Sequence, residues 1–457
     1  MAGVSGRLLV SIALLLLLTQ ANGFLQEFSA VAAATSESCP RCHPRIAVAP
    51  TSVSEKTPEE KQGHRKQHRS ELALTKLFVI NRHGHRAPNT PYWDFCPNDI
   101  KNRRRYDVHS EDLTGLGMKE EYELGQYLRR KYASFIGKRF NRTLHFFRAV
   151  GEPRILQSSV AVAQGIFPDG FGPGAFLPNR PQFVPVFSDM DTHEYLLDDV
   201  PCFRRAEKDV EQWVNKSLAE FVADANVANV LRYVKHVCGK PTKEPPSLFA
   251  YIKTVADGMI FNGDYGLKVC GGRVPPDMLF RIRNVSMQLL LARLYNTDEQ
   301  KTYTAVDLPH RLLSMLEGSH LPTEKQINDF VDTRQESIFY FLHREGLYAL
   351  AEFFGFTYNV PYLPRSELPV ASTLIIEKLE PKELLRLGKK GPVYVKIILK
   401  TPYDGTSTVE VPQCKVPQLC QVHELRRIYN QRVARTGSWE KLCNYTYMEI
   451  DHHTDIR

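Results

Sequence analysis

Leu77-Phe78-Val79-Ile80-Asn81-Arg82-His83-Gly84-His85-Arg86-Ala87-Pro88 sets a short apolar run against a polar loop. Four consecutive apolar residues that stop abruptly have the pattern of a strand buried on both faces in a parallel sheet. The loop that follows holds Arg82 and Arg86 with the imidazole of His83 beside the first. Planar guanidiniums bind oxyanions in bidentate fashion, so this loop suits a doubly charged oxyanion. The imidazole can either bind that anion or attack it.

The same grammar recurs twice. Leu144-His145-Phe146-Phe147 ends at Arg148, and helical spacing follows through Leu156, Val160 and Ala163 to Phe167-Pro168. Ser337–Leu342 ends at His343-Arg344-Glu345-Gly346, and a helical pattern runs over Leu347–Phe354. In open α/β sheets ligands bind at the carboxyl ends of the strands, so three such junctions can bring Arg82, Arg86, Arg148 and His343 to one crevice. Taken singly, each has a plainer reading, as a surface ion pair or a capping histidine; the repetition is what points to a site.

Between the junctions, Thr90–His109 reads as a long irregular loop with Pro91 and Pro97. Thr114 is an N-cap candidate for a helix running to about Lys131. From Asp198 to Leu313 the segments Arg205–Ala223, Val227–Val237, Pro246–Phe261 and Pro275–Leu294 all read as helices, a block suited to roof a pocket. Ala371–Lys378 and Val393–Leu399 read as strands, and a Cys-rich tail leads into a helix over Glu424–Val433. The expected fold is α/β, a mostly parallel sheet flanked by helices with an inserted helical cap. The domain is expected over 73–450, its core at about 73–185 and 325–450 and its cap at about 186–324.

A chain of 457 residues with 43% hydrophobic content can bury a substantial core, and a net charge of +8 is a mild excess that favours anionic ligands weakly. No basic block interleaved with aromatics suggests nucleic-acid binding. Arg7, the apolar run Leu8–Leu18 and Ala21-Asn22-Gly23 form a secretory signal pattern over 1–23, too short for a membrane span. No stable membrane anchor is therefore expected after cleavage. Residues 24–72 read as a charged linker or pro-segment. Four sequons, at Asn141, Asn215, Asn284 and Asn444, fit a secreted or lumenal glycoprotein. Nine cysteines on that route should be mostly paired, with one left over. Cys39-x-x-Cys42 is a weak metal signal by itself.

These residues together resemble the histidine acid phosphatases, in branch 2 of the histidine phosphatase superfamily. Arg82–Pro88 meets the family signature Arg-His-Gly-x-Arg-x-Pro in full. Leu113–Gly125 is similar to the helix after the signature in prostatic-type and lysosomal-type acid phosphatases, and Arg148 and Arg154 resemble the second arginine block. The resemblance implies a phosphoglycerate-mutase-like core and a phosphomonoesterase acting on a small phosphorylated substrate without a cofactor or metal. It makes His83 the nucleophile, Arg82, Arg86 and Arg148 the phosphate clamp, and His343 a second phosphate-binding histidine. It pairs Cys202 with Cys443 and Cys414 with Cys420. Cys238 matches a family half-cystine whose usual partner position is Ser372 here, and Cys270 is the expected partner instead. Prostatic-type relatives are often dimers, which leaves a homodimer open.

Two positions depart from the family. Arg344 stands where the general-acid Asp follows the histidine, and arginine does not titrate in range. Glu345, one position on, is then the candidate proton donor. The alternative reading is a weak or inactive relative that binds phosphorylated ligands. His85 stands where acid phosphatases commonly carry Asp, either as a variable loop position or as an extra phosphate contact.

Overall fold

In chain order the strands are β1 (Leu72–Arg82), β2 (His145–Ala149), β3 (Ser337–Leu342), β4 (Thr373–Pro381), β5 (Tyr394–Lys400), β6 (Thr406–Thr408) and β7 (Cys420–Gln421). A computed structural model describes residues 71–188, 194–318, 335–403 and 405–446. The segments expected as signal and linker lie outside the described residues up to residue 70, as do Cys39 and Cys42.

The strands form one sheet in the order β2-β3-β1-β4-β5-β6, with β7 on β5. β1 runs parallel to β3, with Arg82 opposite Leu342, and β3 runs parallel to β2, with Ala149 opposite Phe341. The α/β class holds. The sheet is parallel only in this half, because β4, β5, β6 and β7 pair antiparallel. The expectation of a mostly parallel sheet is corrected there: β4 and β5 are joined through 382–393, which opens with a short helix over Lys382–Arg386, and no crossover intervenes. Leu77, Phe78 and Val79 are fully buried, as a strand covered on both faces requires. Phe147 stacks on Phe339 across β2 and β3 with centroids 4.2 Å apart.

Helices of ten or more residues are numbered α1 (Gly115–Lys131), α2 (Pro153–Ile166), α3 (Phe203–Ala223), α4 (Ala225–Cys238), α5 (Leu248–Asp264), α6 (Pro276–Leu294), α7 (Leu308–Glu317), α8 (Arg344–Phe354) and α9 (Val422–Thr436). Thr114 caps α1, its side chain accepting from the Gly117 N–H. α1 crosses α2 at two glycines: a Cβ on Gly125 would lie 2.2 Å from the Val162 carbonyl oxygen, so only hydrogen lets the backbones meet.

The segment expected as an irregular loop, Thr90–His109, instead holds three short helical turns, Pro91–Phe95, Pro97–Asp99 and Ile100–Arg103. Both prolines sit at the first helical position, where a missing N–H costs nothing. The turns bury Tyr92, Trp93 and Phe95 in the apolar cluster of α3 to α6.

This packing decides the disulfides. Cys202–Cys443 and Cys414–Cys420 are present, but Cys238 pairs with Cys96, and Cys270 is a free, buried thiol. The expected Cys238–Cys270 pair is overturned because the Asn98 side chain donates to the Val237 carbonyl at 3.0 Å. That contact seats the turn carrying Cys96 against the end of α4. Cys270 lies third in line, its Sγ 3.6 Å from that of Cys96. Of the sequons, Asn141, Asn215 and Asn444 are exposed, whereas Asn284 is half-buried on α6.

Candidate active site

Three parallel strands end on one edge, and the chain leaves each of them into a common cleft. Arg82 N–H donates to Ser372 at 2.9 Å, His83 N–H donates to Leu342 at 3.2 Å, and Val150 N–H donates to Phe341 at 3.1 Å. The cleft holds about 1080 Å³ and is walled by the β1, β2 and β3 loops, by α5 and α6, and by residues 197–211. The signature turn fits only with glycine at its centre. A Cβ on Gly84 would lie 2.6 Å from the Gly117 carbonyl oxygen, and the Gly84 N–H is used by Ser158 Oγ at 3.2 Å.

His83 is 4% exposed and lines the cleft. Its Nδ1 lies 2.8 Å from the carbonyl oxygen of Gly84. A carbonyl only accepts, so Nδ1 carries the proton and the neutral ring leaves Nε2 with its lone pair available. Burial first, then the charges of Arg82, His343, Arg154 and Arg86, hold the imidazole well below its ordinary value. The ring is therefore a neutral nitrogen base among cations. The His343 ring faces it edge-on at 5.7 Å between centroids.

Around His83 the charges are arranged in pairs that leave donors over. Arg86 donates to Asp257 at 2.8 Å and to Asn89 at 2.7 Å, and lies over the Phe261 ring at 4.3 Å. Arg154 pairs with Glu152, whose other oxygen lies 3.2 Å from Nε2 of His343. Arg82 donates to the Leu368 carbonyl at 2.6 Å. Burial and then the Arg344 charge push it down to about 10, still fully cationic at acidic and neutral pH. Among the described residues, the buried Nε–H groups of Arg82 and Arg154 have no hydrogen-bond partner. Unpaired buried donors are costly, and a tetrahedral oxyanion would satisfy them.

Two expectations fail. Arg148 does not reach the cleft. It is 2% exposed, and one of its guanidinium nitrogens donates to both carboxylate oxygens of Glu194 at 3.0 and 3.1 Å. Glu194 also accepts the N–H groups of Leu196 and Leu197 at 2.9 Å, so Arg148 braces the chain entering the cleft wall. Arg154 lines the cleft instead, from the first turn of α2. His85 is no phosphate contact. It is fully buried, its Nε2 2.9 Å from the carbonyl of Phe261 and its Nδ1 2.8 Å from Thr114 Oγ1, stacked on Tyr265 at 5.0 Å. It ties the signature loop to α5.

Arg344 and Glu345 both line the cleft, Arg344 Nε 3.3 Å from Glu345 Oε1. Desolvation would raise the Glu345 carboxyl. The charges of Arg344, His343 and Arg293 override it and hold the group well below the usual carboxylate range. Among the protein's own charges Glu345 is thus an anion rather than a proton donor. A different carboxyl on the same wall, Asp199, is pushed up to about 7 by burial and by Asp198.

Sequence reasoning overlooked Glu152, Asp199 and Asp257 and preferred Arg148 to Arg154 as the clamp. A usable signal existed for one of these choices. Glu152-Pro153-Arg154 opens a helix directly after a strand, and helix N-termini attract anions. Asp257 sits mid-helix with no local mark.

Residues 73–244 match the family model of the histidine phosphatase superfamily (branch 2). Over 125 residues the chain is 31% identical to the lysosomal acid phosphatase of Xenopus laevis, covering 27% of this chain and 28% of that one. It is 32% identical to the prostatic acid phosphatase of Homo sapiens over 102 residues, 22% of this chain and 25% of that one. The matched stretch thus spans about a quarter of the length of these relatives. A phytase from Citrobacter braakii shares the fold, with a TM-score of 0.62 at 15% identity, over 80% of this chain and 99% of that one.

Proposed function

We infer, for a chain whose residues 73–244 belong to branch 2 of the histidine phosphatase superfamily, that the cleft hydrolyses phosphate monoesters through a phosphohistidine on His83. The observation that carries this reading is the hydrogen bond from His83 Nδ1 to Gly84, which reserves Nε2 for attack in a ring kept neutral by its surroundings.

In this mechanism Arg82, Arg86, Arg154 and His343 hold the non-bridging phosphoryl oxygens. Phosphoryl transfer asks for positioning and charge neutralisation more than for covalent chemistry, and this set supplies both. Nε2 of His83 attacks phosphorus, a P–N bond forms, and the ester P–O bond breaks. Water then attacks the phosphohistidine, the P–N bond breaks, and inorganic phosphate leaves with the imidazole restored.

The leaving oxygen needs a proton. Arg344 cannot give one, and Glu345 is ionised until an incoming phosphate dianion offsets the cations beside it and draws its pKa upward. General acid catalysis contributes typically about 10²–10⁴-fold. Aryl phosphates, whose leaving groups need no proton, should therefore turn over faster than alkyl phosphates. A second reading, a binding protein with weak activity, is favoured by the same Arg344–Glu345 pair. The signal pattern, the exposed sequons and the disulfides support a location in the secretory or lysosomal pathway under either reading.

The deciding experiment measures steady-state hydrolysis of 4-nitrophenyl phosphate and glycerol 2-phosphate at pH 4–7 by the native protein, His83→Ala and Arg344→Asp. Turnover by the native protein that vanishes in His83→Ala is expected. Equal rates for those two would end the phosphohistidine reading. A gain of tenfold or more on the alkyl ester in Arg344→Asp, from a native protein with little turnover, would favour the second reading.

A further inference from the structure

The chain entering β4 holds Asn81, Arg82 and His83 at four points. Asn81 Nδ2 donates to Thr373 Oγ1 at 3.0 Å. The Arg82 N–H donates to the Ser372 carbonyl at 2.9 Å, and the Ala371 N–H donates to the His83 carbonyl at 3.0 Å. The Leu368 carbonyl accepts from Arg82 Nη1 at 2.6 Å. Residues 368–373 thus fix the main chain and the guanidinium together. They do so in a conformation that side chains rarely adopt, with positive φ at Ser366 (67°) and Ala371 (53°). Such residues persist only where their surroundings over-determine them.

Those surroundings are a buried ion cluster. Leu368 is held at both backbone groups, because its N–H donates to the Tyr348 hydroxyl of α8 at 2.9 Å. Glu367, the residue before it, is buried and accepts from Arg283 Nη1 of α6 at 2.7 Å. Arg283 also donates to Asp264, the last residue of α5. A guanidinium shared by two carboxylates has little freedom to shift. Arg82, Arg283, Glu367 and Leu368 border one cavity of only about 20 Å³. In packing that tight a displacement of Glu367 passes to the Leu368 carbonyl rather than being absorbed. None of Asp264, Arg283 and Glu367 lines the substrate cleft, so the cluster reaches the phosphoryl group only through what it holds.

We propose that Glu367 is a positioning residue for the phosphate clamp: anchored by Arg283, it sets the Leu368 carbonyl, which takes one Nη of Arg82 and aims the rest of that guanidinium at the phosphoryl oxygens. This deepens the reading above and rests on it for Arg82 as a phosphate ligand. Aim matters because a guanidinium recognises an oxyanion through a planar fork of N–H groups. A misplacement of about 1 Å in an active site can cost about 10²-fold.

Calorimetric binding of inorganic phosphate at pH 5.5 tests the proposal without turnover. Glu367→Gln, assayed well below its unfolding temperature, should weaken phosphate by about tenfold or more. Arg82→Gln should weaken it as well. Adding Glu367→Gln to Arg82→Gln should then change the affinity no further, because residues acting as one unit are not additive. A purely structural ion pair would leave the affinity of folded Glu367→Gln unchanged, and a route that bypasses Arg82 would make the two losses multiply; either result overturns the proposal. If Glu367→Gln does not fold, Tyr348→Phe takes its place. It frees the Leu368 N–H and should show the same non-additive loss, with the same two results counting against it. A native protein that binds no phosphate overturns both this proposal and the reading beneath it. Phosphate binding with the expected pattern but no hydrolysis of 4-nitrophenyl phosphate would sink the phosphomonoesterase reading alone.

Discussion

Arg148 and Arg154 stand six residues apart in one strand-to-helix segment, carry the same charge, and do opposite work. Arg148 lies inside β2 and spends its guanidinium on Glu194, under the cleft wall. Arg154 lies in the first turn of α2, pairs with Glu152, and keeps a buried Nε–H in hand at the cleft. A strand residue one position before the end projects beside the sheet into packing that other elements supply. A residue in the first turn of the following helix is carried out over the strand ends, where the helix dipole also favours an anion. The charge alone says nothing of the role; the element that carries it does.

The comparison breaks most sharply on stability. Arg148→Ala strands Glu194 without its partner in a buried site, and such losses run at about 3–5 kcal/mol. Chemical denaturation should register it, and a fall below about 1 kcal/mol would mean that the Arg148–Glu194 ion pair is not what braces residues 194–197. Arg154→Ala should do the reverse. It should lower kcat/KM by roughly 10²–10³-fold, the usual cost of a lost oxyanion donor, while the melting temperature stays near native. If instead Arg148→Ala impairs turnover in a fully stable protein, the two assignments must be exchanged.

The cation ring that includes Arg154 but not Arg148 also predicts a pH profile. The attacking form of His83 is the neutral one. Its depressed pKa keeps it neutral as pH falls through 6.5, so kcat/KM should persist below the range where an ordinary imidazole protonates, and its acid limb should lie well under 6.5. A limb at 6.5 or higher would mean that the cations act on His83 less than their positions imply.

The smallest effect concerns another pair of alternatives, Cys96 and Cys270 as partners of Cys238. Cys270→Ser should leave the disulfides intact and shift stability by no more than about 1 kcal/mol, a small change for a buried thiol. Cys238→Ser should cost about 2–5 kcal/mol. Mass mapping of the non-reduced protein that finds Cys238 linked to Cys270 would reverse the assignment.

Much was legible before any tertiary contact was known. Leu77–Ile80, Phe146-Phe147 and Ser337–Leu342 announced three buried strands, because strands covered on both faces must be apolar throughout. The Arg82–Pro88 loop announced an oxyanion site, because its residue types have few other uses together. The antiparallel half of the sheet was less legible, since β4 and β5 are also apolar runs and periodicity carries no sense of direction. The helical turns of 91–103 were hidden by their prolines, which interrupt a pattern in sequence yet begin a helix in space.

What the sequence determined by itself is therefore local: which segments are strands and helices, and that His83 stands between two arginines in a turn only glycine can make. Tertiary structure alone decided which distant residues complete that turn. Arg154 rather than Arg148, Asp257 from the middle of a helix, Cys96 rather than Cys270, and His85 locked onto Phe261 all follow from packing across more than one element. The reason is physical. Backbone preferences act within a few residues, whereas charge pairing, disulfide bonding and cleft shape depend on distances in space that no spacing along the chain encodes.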